Sequence, residues 1–143
     1  MEEKLTFYTI VLDGIDKSGK DTIAKYIYRL DKRLNILVRG WPSLVAYSTK
    51  YNRKCTYDLP YRNALYVYCN VEQDDWSIRC KINNENMEVL NYDYDKYLFD
   101  TAFDILEKNK YHTLRINTTL HTPYSLAKEI VDTILKLNAL KEE

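Results

Sequence analysis

Glycine is scarce in this chain, with three among 143 residues, and proline is equally rare at three. A composition this poor in both leaves no room for a glycine- or proline-rich linker, and there is no internal repeat or low-complexity tract. Cysteine is also limited to three, Cys55, Cys69 and Cys80, with no Cys-x-x-Cys pair. The odd count and irregular spacing exclude a disulfide framework and a thiolate zinc site, and predict free, mostly buried thiols. Charge of either sign is not in excess: 21 basic residues balance 21 acidic ones. That argues against binding nucleic acid through bulk electrostatics. No apolar run approaches the length of a membrane span, and the opening "MEEKLTF" is acidic without an apolar signal core. The expectation is a cytoplasmic protein that makes no membrane contact.

What the chain does contain is 45% hydrophobic and 29% charged residues, a balance typical of a folded soluble domain. Its length suits one domain over 1–143. Tyrosine is abundant at 14, which coding bias in an AT-rich genome accounts for in part.

Phe7 to Leu12, "FYTIVL", reads as a buried strand ended by Asp-Gly. Asp21 to Leu30 carries Ile23, Ala24, Ile27, Tyr28 and Leu30 at helical spacing, with Asp21 suited to the first turn. Leu34 to Val38 is a second strand. A helix over Ser43–Lys50 follows, with Ser43 as its expected cap after Pro42. Tyr51 to Tyr61 is polar and reads as a loop. Ala64 to Val71 is a third strand, and a helix through Trp76, Ile78 and Lys81 comes after it. The acids Glu72, Asp74 and Asp75 are expected to cap that helix, with metal binding as the alternative. Asn83 to Asn91 reads as a loop, Tyr94 to Asn109 as a helix, Thr113 to Ile116 as a fourth strand. A last helix begins near Pro123. Strands alternating with helices in this way predict a three-layer α/β fold. Its sheet, mainly parallel and of about four to five strands, has helices on both faces.

Ligands of such sheets bind beyond the carboxyl ends of the strands, so the loop after the first strand is the first candidate site. It reads "DGIDKSGKDT". Gly14, Gly19 and Lys20 hold the G-x-x-x-x-G-K positions of a phosphate cradle, and two of the three glycines are spent on it. In such a cradle the amides of Gly14, Ile15, Asp16, Lys17, Ser18 and Gly19 converge on an anion at a helix N-terminus, and the lysine reaches the outer phosphates. The standard pattern continues with Ser or Thr, whose hydroxyl ligates Mg²⁺. Here Asp21 follows the lysine and the hydroxyl comes one place later, at Thr22. Two chemistries are open to Asp21: with Thr22 it ligates Mg²⁺ through oxygen, or it repels the phosphates. His112 and His121 lack the spacing of a helical metal pair and read as surface or turn residues.

The stretch "VLDGIDKSGKDT" resembles the P-loop of nucleotide kinases of the thymidylate-kinase type, where variants with Gly-Lys-Asp-Thr also occur. The resemblance implies that Asp16 faces the sugar of the phosphate acceptor. "VRGWPS" with Val45, Ala46 and Tyr47 is similar to the Asp-Arg segment of small, often phage-encoded, deoxynucleotide kinases. There the arginine grips the acceptor's phosphate, the role implied for Arg39, and Val38 stands where the family has an acid. "LYVYCNVEQDDWSIRCKIN" resembles the strand and helix that lead into the lid, which makes Arg79 the candidate for offsetting charge on the transferred phosphoryl group. "INTTLHTPYSLAKEIVDTIL" resembles the C-terminal end of such kinases, where Asn117, Thr118 and Thr119 match a loop beside the adenine. The chain is short for that family: three residues separate Leu30 from Leu34, so no further strand and acceptor-binding helix fit there.

The leading expectation is therefore phosphoryl transfer from ATP to a deoxynucleoside monophosphate, with Mg²⁺ as cofactor. Lys20 holds the donor, Arg39 the acceptor phosphate, Arg79 the developing charge, and Trp41 or a tyrosine stacks on the base. The alternative is a catalytically silent member of the fold that binds a nucleotide or acts through a protein partner, including a second copy of itself. Val38, the reduced lid and the missing strand–helix unit favour it. A weaker option is a nucleoside kinase, which needs a carboxylate base from Asp13, Asp16 or Asp58.

Overall fold

The computed structural model describes residues 7–53, 60–82 and 91–142. The elements run β1 (Thr9–Asp13), α1 (Lys20–Leu30), β2 (Asn35–Val38), α2 (Trp41–Lys50), β3 (Ala64–Asn70), α3 (Gln73–Ile82), α4 (Tyr92–Lys108), β4 (His112–Asn117) and α5 (Pro123–Glu142). Among the described residues the sheet has four strands in the order β2-β1-β3-β4, all parallel. In register, Val11 lies beside Leu37 on one side and Tyr66 on the other, and Val67 beside Leu114.

Successive residues of a strand point to opposite faces, and β3 uses both. Leu65, Val67 and Cys69 face α1 and α5, where they join Ile23, Ile27, Leu126, Ala127 and Ile130. Ala64, Tyr66 and Tyr68 face the other way, onto Trp76, Leu98, Phe99, Phe103 and Leu106 of α3 and α4. Each large aliphatic or aromatic side chain fully buried in this way contributes about 1.5–3 kcal/mol. The result is a helix–sheet–helix sandwich. Tyr68 fits the second core by stacking on Phe103 at 4.4 Å and donating its hydroxyl to Asp100 at 2.6 Å.

The order of elements and the parallel sheet agree with the pattern read from sequence, with local departures. Helix α2 begins at Trp41, not Ser43, with Gly40 as its N-cap and Pro42 in the first turn. Ser43 is not the cap, because its hydroxyl is turned to Asp13. Helix α4 begins at Tyr92, capped by the Asn91 side chain, which accepts from Tyr94 N at 3.0 Å. Only α1 joins β1 to its neighbour β2, so the compact crossover expected from the short Leu30–Leu34 spacing is present. Cys69 and Cys80 are both buried. Cys55, Asp58 and residues 83–90 of the expected lid lie outside the described residues. Among the described residues no helix is long and apolar enough to cross a membrane.

Candidate functional site

Strand β1 leads into the loop, and α1 continues on one face of the sheet while β2 and β3 deliver their helices to the other. Neighbouring loops therefore part at the carboxyl end of β1 and leave a crevice there. The crevice is a cleft of about 520 Å³ lined by Asp16–Ile23, Arg39, Arg79, Thr118, His121, Pro123 and Leu126.

The loop's backbone explains its glycines. Gly14 has φ 148° and lies so close to β3 that a Cβ would run into the Cys69 carbonyl oxygen. Gly19 has φ 92°, a left-handed conformation that favours glycine. Gly19 is also the N-cap of α1, and no side chain caps the helix. The first-turn N–H groups of α1 consequently remain available to an anion.

Lys20 is buried, and its Nζ donates to the carbonyls of Gly14 and Ile15 at 2.9 Å each and to Ser18 Oγ at 3.2 Å. Burial pulls its pKa below the ordinary lysine value, and the negative charge of Asp13 works against that shift. Asp21 and Thr22 are exposed in the first turn of α1 and line the same cleft. Two oxygen donors beside a phosphate cradle suit Mg²⁺, which usually takes one or two protein ligands plus phosphates and waters. Among the described residues no three His, Cys, Asp or Glu side chains cluster as a self-sufficient metal site. The acids Asp74 and Asp75 lie in the first turn of α3, and Asp75 pairs with Arg79 at 2.8 Å.

The two arginines reach the loop from opposite sides. Arg39 has φ 75°, and its guanidinium pairs with Asp16 at 2.7 Å and stands 5.8 Å from the Tyr47 ring centre. Arg79 donates to the carbonyls of Lys17 at 2.9 Å and Thr118 at 3.3 Å. Trp76, which sequence reasoning read only as helix, donates its indole N–H to Asp16 O at 3.0 Å and props the loop from below.

Several expected contributors do not line the cleft, among them Thr119, whose hydroxyl accepts from Glu72 N and donates to Asp75. Trp41 packs against the second core and does not line the cleft, because α2 starts early enough to turn its ring inward. Asn117 is also outside the cleft: its Oδ1 accepts from Thr119 N at 2.9 Å and Leu120 N at 3.1 Å, which shapes the turn after β4. Ile15 is a core residue that offers the loop only its backbone. Thr118 does line the cleft, held by its N–H donating to Asn70 O at 2.7 Å. Of the histidines, both read from sequence as surface or turn residues, His112 lies in β4 and packs edge-on against Phe7, whereas His121 lines the cleft.

Asp13 is wholly buried at the end of β1. Its Oδ2 accepts from Gly40 N at 3.0 Å and Ser43 N at 2.9 Å. Its Oδ1 accepts from Gly14 N at 3.0 Å and from the Ser43 hydroxyl. Burial raises its pKa, and the bonds from Ser43 and Gly40 pull it back. A carboxylate saturated by donors and shut away from solvent is not a base for an acceptor hydroxyl, so Asp13 does not serve the nucleoside-kinase option.

No protein-family model and no curated protein matches this chain. Among solved structures, the chain is similar to the YorR protein of Bacillus subtilis, crystallised in complex with phosphorylated GDP. The two are 17% identical, with a TM-score of 0.70 over 88% of this chain and 95% of that one. At that identity the likeness is one of fold.

Proposed function

We propose that this protein binds a nucleotide in the cleft beyond β1 and transfers a phosphoryl group from Mg²⁺–ATP to a deoxynucleoside monophosphate, in the manner of thymidylate kinases. One observation carries the reading: a glycine-formed loop, an uncapped helix N-terminus, a buried lysine and two arginines surround a single cleft. The shared fold of a protein crystallised with phosphorylated GDP supports the nucleotide part of it.

The chemistry divides among the residues. The amides of the loop and of the first turn of α1 receive the donor phosphates. Lys20 Nζ bonds the phosphate oxygens, a charge-assisted contact stronger than those it makes to the Gly14 and Ile15 carbonyls. Asp21 and Thr22 would hold Mg²⁺, which when bound neutralises charge on the β- and γ-phosphates. Arg39 leaves Asp16 for the acceptor phosphate, which its planar fork can grip with two bonds. An oxygen of that phosphate attacks the γ-phosphorus, the bond from phosphorus to the bridging oxygen breaks, and ADP departs. Arg79 acts by keeping Lys17 and Thr118 in place around the transferred group. Catalysis of this kind is positioning and electrostatics, and it needs no nucleophilic side chain.

The test is calorimetric titration with ATP and Mg²⁺, with Lys20→Ala as control, followed by turnover assays on a panel of deoxynucleoside monophosphates. Binding by wild type alone, with turnover of one monophosphate, supports the proposal; absence of ATP binding ends it. A second reading, a catalytically silent nucleotide binder, draws on Val38 at the end of β2, where the related kinases carry an acid. Binding with no turnover on any monophosphate would select it.

A further inference from the structure

Asp13 stands outside the cleft, yet it bonds the residue that opens the phosphate loop, Gly14, and the residue that follows Arg39, Gly40. Its carboxylate joins the first amide of the phosphate loop, Gly14 N, to the first turn of α2 through Gly40 N, Ser43 N and the Ser43 hydroxyl. A carboxylate at a helix N-terminus satisfies orphan N–H groups and suits the helix dipole. The usual acceptor in such a cap is the side chain of the N-cap residue, but in α2 that residue is Gly40 and supplies none. The cap comes instead from another strand, 27 residues earlier at Gly40.

Arg39 is the residue between β2 and that capped turn. Its N–H donates to Leu12 O at 2.8 Å, beside Asp13, and its backbone is left-handed at φ 75°, a conformation non-glycine residues rarely keep without support. Gly40, the next residue, is fixed by Asp13 Oδ2. Asp13 thus fixes the backbone immediately after Arg39, and Leu12 O fixes the Arg39 N–H itself. The same carboxylate fixes the start of the loop that carries Asp16 and Lys20.

We propose that Asp13 is a positioning residue that couples the donor loop to the acceptor-binding arginine, holding Arg39 over the cleft through Gly40 and Ser43. The proposal rests on the phosphotransferase reading above. It predicts an asymmetric defect. In Asp13→Asn one N–H must face an amide N–H, so the tether to α2 or to Gly14 is lost. The charge near Lys20 that opposes an incoming phosphate is lost too.

The experiment measures donor and acceptor affinities of Asp13→Asn separately by calorimetry, using ATP with Mg²⁺ and then the deoxynucleoside monophosphate that wild type turns over. Acceptor affinity and acceptor kcat/KM should fall roughly 10- to 100-fold, the scale of a small misplacement at a reacting centre. ATP affinity should fall less than acceptor affinity, because Trp76 and Arg79 hold the donor loop independently of Asp13. In an Arg39→Ala background the further loss from Asp13→Asn should be small, because both act through one guanidinium. Parallel loss of both affinities, or full additivity with Arg39→Ala, overturns the proposal and makes Asp13 a structural residue only. Ser43→Ala removes a single tether and should reproduce the acceptor defect in weaker form if Asp13→Asn does not fold. An unchanged acceptor affinity in Ser43→Ala then counts against the coupling.

One measurement needs no nucleotide. Glycine-selective ¹⁵N labelling gives three amide resonances, one for each glycine. Asp13→Asn should move those of Gly14 and Gly40 together and leave Gly19 nearly still. If Gly40 does not respond, the tether itself is wrong. If the glycines respond as described but wild type binds neither nucleotide, the phosphotransferase reading has failed and the positioning role falls with it.

Discussion

Arg39 and Arg79 flank the same loop with the same functional group, yet the fold employs them differently. Arg79 is enclosed by fixed partners: two backbone carbonyls and Asp75, with 27% of its side chain exposed. Arg39 has 50% of its side chain exposed and pairs with the carboxylate of Asp16, itself 37% exposed. A guanidinium bound to backbone carbonyls can leave only by abandoning them, and buried carbonyls without donors are costly. A guanidinium in an exposed ion pair can trade one oxyanion for another at little expense. Under the function proposed above, Arg79 holds the loop and Arg39 is the arginine left to handle ligand.

The strongest attempt to break that assignment is Lys20→Ala. It should weaken ATP binding by at least about 100-fold, as loss of a charge-assisted phosphate contact does. If calorimetry shows ATP binding intact, neither arginine surrounds a phosphate site and the comparison loses its meaning. Next comes Arg39→Ala. Acceptor affinity should drop roughly 10- to 100-fold, while urea unfolding shows a stability change within about 0.5 kcal/mol, as for an exposed pair. A large stability loss would show that Arg39 is structural after all. Arg79→Ala should give the converse. Its two carbonyl bonds, discounted for partial exposure, place the expected destabilisation at about 1–2 kcal/mol in urea melts. Arg79→Lys should recover little of it, since one ammonium cannot span both carbonyls.

The smallest effect concerns the floor beneath the loop. Cys69 lies against Gly14, and burial pushes its thiol up to about 12. The thiolate fraction at pH 8 is then about 1 in 10⁴, so alkylation of the native protein should leave the Cys69 peptide unlabelled by mass spectrometry. The sign is direct: raising the pH increases labelling, and unfolding, which returns the pKa toward 9.0, increases it far more. Rapid native labelling would mean that the loop opens and that Arg79 does not hold it.

Most of the fold was legible from sequence because its signals are local. The apolar run of β1, the alternating faces of β3 and the helical spacing of Ile23 and Ile27 each follow from backbone periodicity. The loop was legible for a similar reason, since Gly14, Gly19 and Lys20 need particular backbone angles and a particular spacing. Misreadings arose where a side chain's partner came from elsewhere in the chain. Ser43 looked like a cap and instead donates to Asp13, 30 residues away. Trp41 looked free to stack on a ligand and packs inward on the second core. Trp76 and His121 carried no signal of their nearness to the loop, which depends on how α3 and the turn after β4 fold over the sheet.

The amino-acid sequence by itself determined the α/β alternation, the glycine-formed loop and the lysine that follows it, because these depend on propensities and spacing within a few residues. The strand order β2-β1-β3-β4, the meeting of Arg39 and Arg79 across one loop, and the burial of Asp13 under α2 were decided by tertiary structure. Those depend on which faces the parallel crossovers bring together, and on where desolvation forces each polar group to find a partner.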